Sequence, residues 1–235
     1  MCTELEIQRI SDYCRQVLDL NNARLEDEYF YQSLPICVID SVYSIRARWE
    51  AVRQVVIRYC NYFNLQRIRE YRALIPPIES QESIGAFLQK IQEFGIETFA
   101  NDIFQNRQRT STRNGILKAK AILRFASVLE KYDVNYLQNV SYVIDNIAFE
   151  NEIRQIPGQR SGITLKYFFM LSGSDNLIKP DTMILRFLSY ILERLVTPEE
   201  AQICLTEATN RLILTYPNLT PRLLDQKIWR YQRDL

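Results

Sequence analysis

Only 6 glycines and 8 prolines punctuate 235 residues, and this scarcity constrains the fold more than any other feature of the chain. An all-β chain of this size needs a tight turn roughly every eight to twelve residues, and such turns draw on Gly, Pro, Asn and Asp. Between the few breakers, apolar residues recur at three- and four-residue spacings, as on one face of a helix. Leu5, Ile7, Ile10, Tyr13, Cys14, Val17, Leu18 and Leu20 follow that spacing, with Asn21-Asn22 ending the segment. The run from Leu34 to about Phe63 follows it too, with a break at Ser44-Ile45-Arg46, and Pro76-Pro77 closes the section because paired prolines cannot continue a helix. Helices are expected over 80–91, 93–104, 116–129, 142–153 and 163–171. The last three begin at Pro180-Asp181, at Thr197-Pro198-Glu199-Glu200 and at Thr220-Pro221, where cap residues, first-turn prolines and acidic residues suit a helix start. About eleven helices and no strand signal predict an all-α protein without internal repeats.

A hydrophobic content of 47% is ample for a packed core. No apolar run reaches the roughly 18 residues of a membrane span, and no basic segment precedes an apolar one at the N-terminus. A soluble cytoplasmic protein without membrane contact is therefore expected. Cys2, Cys14, Cys37, Cys60 and Cys204 form no CxxC pair and no cluster, so they are read as reduced, mostly buried thiols and not as metal ligands. Histidine is absent, which removes Ser-His and Cys-His nucleophiles and the usual catalytic zinc sites. Carboxylates, Lys, Tyr or backbone must carry any chemistry, with no metal and no cofactor expected. A net charge of +1 gives no whole-protein field, yet arginine outnumbers lysine 22 to 7, and arginine is the better partner for phosphate.

The informative stretch runs Ile156-Pro157-Gly158-Gln159-Arg160-Ser161-Gly162-Ile163 and continues to Lys179-Pro180-Asp181-Thr182-Met183-Ile184-Leu185-Arg186. A glycine-bearing turn between two helices points backbone N–H groups outward at a helix N-terminus, where they can grip a phosphate. Pro-Gly is also plain turn chemistry. The pairing of this turn with the later aspartate resembles the helix-hairpin-helix (HhH-GPD) DNA glycosylase superfamily. Its hairpin reads Leu-Pro-Gly-x-Gly, and its catalytic aspartate opens a helix of pattern Asp-Thr-His-x-x-Arg about twenty residues later. Here Met183 stands in the His place and Arg160 in that of the second glycine, with Gly162 displaced. Leu34 to Arg46 is similar to the family's first barrel helix, with Arg46 in the place of a Gln, and Asn114 to Leu123, which includes Lys118, resembles its Gly-x-x-x-Lys-Ala segment.

The resemblance implies a two-lobed helical bundle, with a barrel lobe over 34–172 ending in the hairpin and a second lobe built from 1–33 and 173–235. It implies a monofunctional DNA N-glycosylase in which Asp181 stabilises the sugar cation, or activates water, while a flipped base leaves. Gly158, Gln159, Arg160, Ser161, Gly162, Arg46 and Lys118 would contact DNA. Tyr43 and Trp49, near the helix that faces the cleft, are candidates for stacking in a base pocket. The family's Schiff-base lysine falls here on Gly162 or Ile163, which excludes lyase chemistry, and its cluster-binding cysteines are missing. The alternatives are a non-catalytic DNA-binding module and a helical interaction protein on the same scaffold.

Overall fold

The computed structural model describes residues 2–235. It is all-helical, with eleven α-helical segments, a few 3₁₀ turns and one π-helical turn, and its only sheet-like pairings among the described residues are the isolated bridges Tyr31–Ile68 and Arg109–Leu117. The chain divides into a terminal unit, made of residues up to Glu26 with Ser174–Leu235, and a central unit, Asp27–Gly173.

The terminal unit packs α1 (Glu4–Val17), α9 (Thr182–Leu192), α10 (Pro198–Leu212) and α11 (Pro221–Asp234) around Ile10, Cys14, Ile184, Phe187, Leu188, Leu205, Leu224 and Ile228. Strong caps set the helix starts. Thr3 and Glu6 close a reciprocal capping box on α1, and Thr197 with Glu200 does the same on α10, followed by Pro198 in the first turn. Arg194 ties the two boxes together, donating to Glu6 at 2.8 Å and to Glu200 at 3.3 Å. The expectation of five reduced thiols is corrected here, because Cys2 and Cys204 form a disulfide that pins the start of α1 to α10. Cys14, Cys37 and Cys60 remain buried thiols.

The central unit is built around α2 (Leu34–Tyr43), whose ten residues are all buried. A helix that is apolar on every side has no solvent face to offer, so it lies inside, packed by α3 (Trp49–Tyr62), α6 (Lys118–Lys131) and α8 (Ile163–Ser172). Its one buried acid, Asp40, is compensated by the hydroxyls of Tyr31 at 2.6 Å and Ser44 at 3.0 Å. A short helix α4 (Ile84–Phe94) runs into α5 (Ile96–Thr98) and a π-turn at Phe99–Ile103, packing Phe87, Phe99 and Phe104 around the buried ring of Tyr59. The last small helix, α7 (Ile147–Arg154), packs on α6. Residues 27–33, grouped by sequence with the other lobe, belong to this unit. Their 3₁₀ turn packs on α8, and Gln32 N–H donates to the Arg67 carbonyl at 3.0 Å.

Candidate nucleic-acid interface

Helices α7 and α8 flank the glycine-bearing turn. Gly158 has φ +93° and Gly162 has φ +73°, so both sit in the left-handed region that other residues rarely adopt. Space enforces the same choice: a Cβ on Gly158 would come within 2.5 Å of Thr110, and one on Gly162 within 2.5 Å of the Arg154 guanidinium. The turn is closed by Gln159 N–H donating to Ile156 O and Gly162 N–H donating to Gln159 O, both at 2.9 Å. Arg154 Nη1 adds a bond to the Arg160 carbonyl at 2.7 Å. Arg160 and Ser161 are exposed at its tip. Gly162 caps α8 without a side-chain bond of its own, and the Ile163 N–H of the first turn donates to Ser161 Oγ at 3.5 Å. Gln159 departs from the expectation of a DNA contact. It is 1% exposed, turned into the unit, and neither end of its amide has a hydrogen-bond partner among the described residues.

Lys118, also expected to touch DNA, is buried, and burial lowers its ammonium pKa to about 8. Its Nζ donates to the carbonyls of Tyr43 at 2.8 Å and Ile45 at 2.7 Å and to Gln108 Oε1 at 2.8 Å. All three of its protons are thus spent inside the protein. The consequence is architectural, since Lys118 clamps the 44–48 loop to the 106–117 loop, and Thr110 on the latter lies against Gly158 of the hairpin. Three loops therefore meet in the central unit. They expose Arg46 and Arg48 on the first, Arg107, Arg109 and Arg113 on the second and Arg160 on the third. Arg46 has φ +49°, a left-handed bend that turns the chain between α2 and α3. Arg107 is tied to Glu97 at 2.7 Å and Arg109 to the Gly115 carbonyl at 2.9 Å, whereas Arg46, Arg113 and Arg160 extend from exposed turns.

Tyr43 is corrected as a base-pocket residue. Its ring is buried edge-on to Phe104, its hydroxyl donates to the Asn106 carbonyl at 3.1 Å, and burial pushes its pKa above the phenol range. Trp49 is half-exposed at the start of α3, with the Arg53 guanidinium 5.8 Å from the ring centre. Two open grooves of about 470 and 460 Å³ run along α6 and share Leu123 and Ser127; neither residue lines them.

In the terminal unit Asp181 is half-buried and caps α9, with Oδ1 accepting the N–H groups of Met183 at 2.9 Å and Ile184 at 3.3 Å. This is the cap role that any helix start can use, occupied by the residue the resemblance singles out.

A family model described as a domain of unknown function, DUF8548, matches residues 8–233. The chain belongs to the DUF8548 family. No curated protein and no solved structure matches it. The match spans both units, so the hairpin and the Asp181 helix alike lie within the DUF8548 domain. The sequence alone offers Arg107, Arg109 and Arg113 of a polar loop as phosphate contacts or as a solvated loop, and the signal it also holds is the absence of acids around them. Residues 103–129 contain no acid but include Arg107, Arg109, Arg113, Lys118, Lys120 and Arg124, and residues 153–174 contain no acid but include Arg154, Arg160 and Lys166. Charge also divides by unit: 18 basic against 15 acidic side chains in the central unit and 11 against 13 in the terminal unit. The near-neutral total conceals that division.

Proposed function

We propose that the protein binds the phosphate backbone of duplex DNA through the three loops that meet in its central unit, with the hairpin as anchor. The observation that carries this reading is the juxtaposition of the two acid-free stretches: Thr110 of the 106–117 loop lies against Gly158, so loops that carry arginines distant in sequence meet. Fixed backbone N–H groups and exposed guanidiniums hold phosphates without reading sequence. Exchanging Arg46, Arg113 and Arg160 tests it, with Arg46→Asn preferred at the left-handed position because Asn tolerates it. Each exchange weakens binding and flattens the slope of log K against log salt by about 0.9 per lost phosphate contact. Unchanged affinity and slope in the triple variant would sink the proposal.

The finer reading is that Asp181 makes this a base-removing enzyme of the helix-hairpin-helix glycosylase kind. It is favoured by a carboxyl group at a helix start, half-exposed, with Oδ1 fixed by two backbone bonds. Such a carboxylate is oriented before substrate arrives and stabilises positive charge developing on a sugar. Asp181→Asn is expected to abolish release of free base from lesion-bearing duplexes and to leave duplex binding within about twofold. Full turnover in that variant would eliminate the mechanism.

A further inference from the structure

We propose that Asp225 is a positioning residue for Asp181: through the Lys179 amide it holds the tight turn from which the Asp181 side chain projects. The inference rests on the base-removal reading of Asp181. Residues 175–181 form a strap over α10 and α11. Ile178 N–H donates to Gln202 Oε1 at 3.2 Å, Gln202 Nε2 donates to the Asn176 carbonyl at 3.1 Å, and Arg222 pairs with Asp175 at 2.7 Å. The last tie before the helix is Asp225, whose Oδ1 accepts Lys179 N–H at 2.9 Å. Two residues on, Asp181 N–H donates to the Lys179 carbonyl at 2.6 Å and closes a three-residue turn centred on Pro180. Both backbone polar groups of Lys179 are therefore committed, one to each aspartate. Pro180 fixes its own φ and brings no N–H to compete. The Asp181 side chain projects from that turn and caps α9.

Asp225 itself is 3% exposed and out of a substrate's reach, so any part it plays in the chemistry passes through Asp181. Burial first, and then the Asp181 charge, push its carboxyl well above the usual range, against the opposing pull of the Lys179 N–H bond and the Lys179 cation. An amide keeps the oxygen that accepts the Lys179 N–H and a methyl does not, and this supplies the test.

Asp225→Asn and Asp225→Ala are compared in the full chain for base release, duplex affinity and amide exchange. Asp225→Asn is expected to match wild type. Asp225→Ala is expected to lower kcat about tenfold with affinity unchanged, and to speed exchange at the Lys179, Met183 and Ile184 amides. If wild type releases no base, the base-removal reading fails on its own account, and the exchange pattern alone decides whether Asp225 positions Asp181. The proposal is overturned if Asp225→Ala leaves those amides as protected as in wild type, if Asp225→Asn loses as much as Asp225→Ala, or if kcat and affinity fall together. Should Asp225→Ala not fold, Asp225→Leu, which fills the site without an acceptor, is put through the same measurements, and unchanged protection of the Lys179, Met183 and Ile184 amides overturns the proposal.

Discussion

Two buried polar side chains of the central unit, Lys118 and Gln159, face opposite energetic situations. Lys118 spends every proton on a fixed acceptor, so Lys118→Met strands the Tyr43 and Ile45 carbonyls and the Gln108 amide and is expected to cost about 2–4 kcal/mol. Gln159 buries an amide with neither end paired, so Gln159→Met, close in volume and apolar, is expected to add about 1 kcal/mol. Urea unfolding of both variants checks the pair of signs. A loss in Gln159→Met would mean that an ordered water satisfies the amide. Neither outcome was visible in the sequence. The resemblance marks Lys118 as notable, but its acceptors come from positions 43, 45 and 108, and only folding shows that they converge on it. Gln159 fails as a surface contact for a similar reason: the two left-handed glycines around it set which way its side chain turns, and their φ values are not written in the residue names.

Helix starts, by contrast, were legible, because cap and periodicity are local properties. Thr197-Pro198-Glu199-Glu200 and Thr220-Pro221 open α10 and α11 where residue type alone places them, and the Ser44-Ile45-Arg46 break falls between α2 and α3. The region before α7 was harder. The expected helix over 142–153 begins only at Ile147, because residues 137–142 form a 3₁₀ turn and Asn146 provides the cap. The capping boxes of α1 and α10 also carry a pH signature. Hydrogen bonding from Arg194 and then from the Thr3 backbone lowers the Glu6 pKa from 4.5 to about 2, and the Thr197 backbone with Arg194 lowers that of Glu200. The stability these carboxylates add is complete above the ordinary Glu range and drains away as pH falls from about 4.5 towards 2. Arg194→Gln is expected to flatten that acid limb in thermal melts. An acid limb as steep as in wild type would show that the network adds nothing. The effect is reduced by solvent, since the Arg194 side chain is about one-third exposed.

Across the whole chain, the all-helical class followed from the scarcity of breakers, whereas the basic loops did not follow from net charge, because +1 is the residue of opposite excesses in the two units. The Asp181 region was found through its Asp-Thr-x-x-x-Arg pattern. Its buried neighbour Asp225 lies 44 positions later and was reachable only through the fold. The pairing of Cys2 with Cys204 was equally hidden, since a separation of 202 residues carries no local signal. Reduction, or Cys2→Ser, is expected to destabilise the terminal unit by about 2–4 kcal/mol, read as faster amide exchange in α1 and α10 than in α2. Equal exchange with and without reductant would dismiss the bridge as a stabiliser. The same bond makes a closed ring of nearly the entire polypeptide. A protease that cuts once anywhere between the two half-cystines therefore releases no fragment: the nicked chain migrates as a single species on a non-reducing gel and separates into two bands only after dithiothreitol.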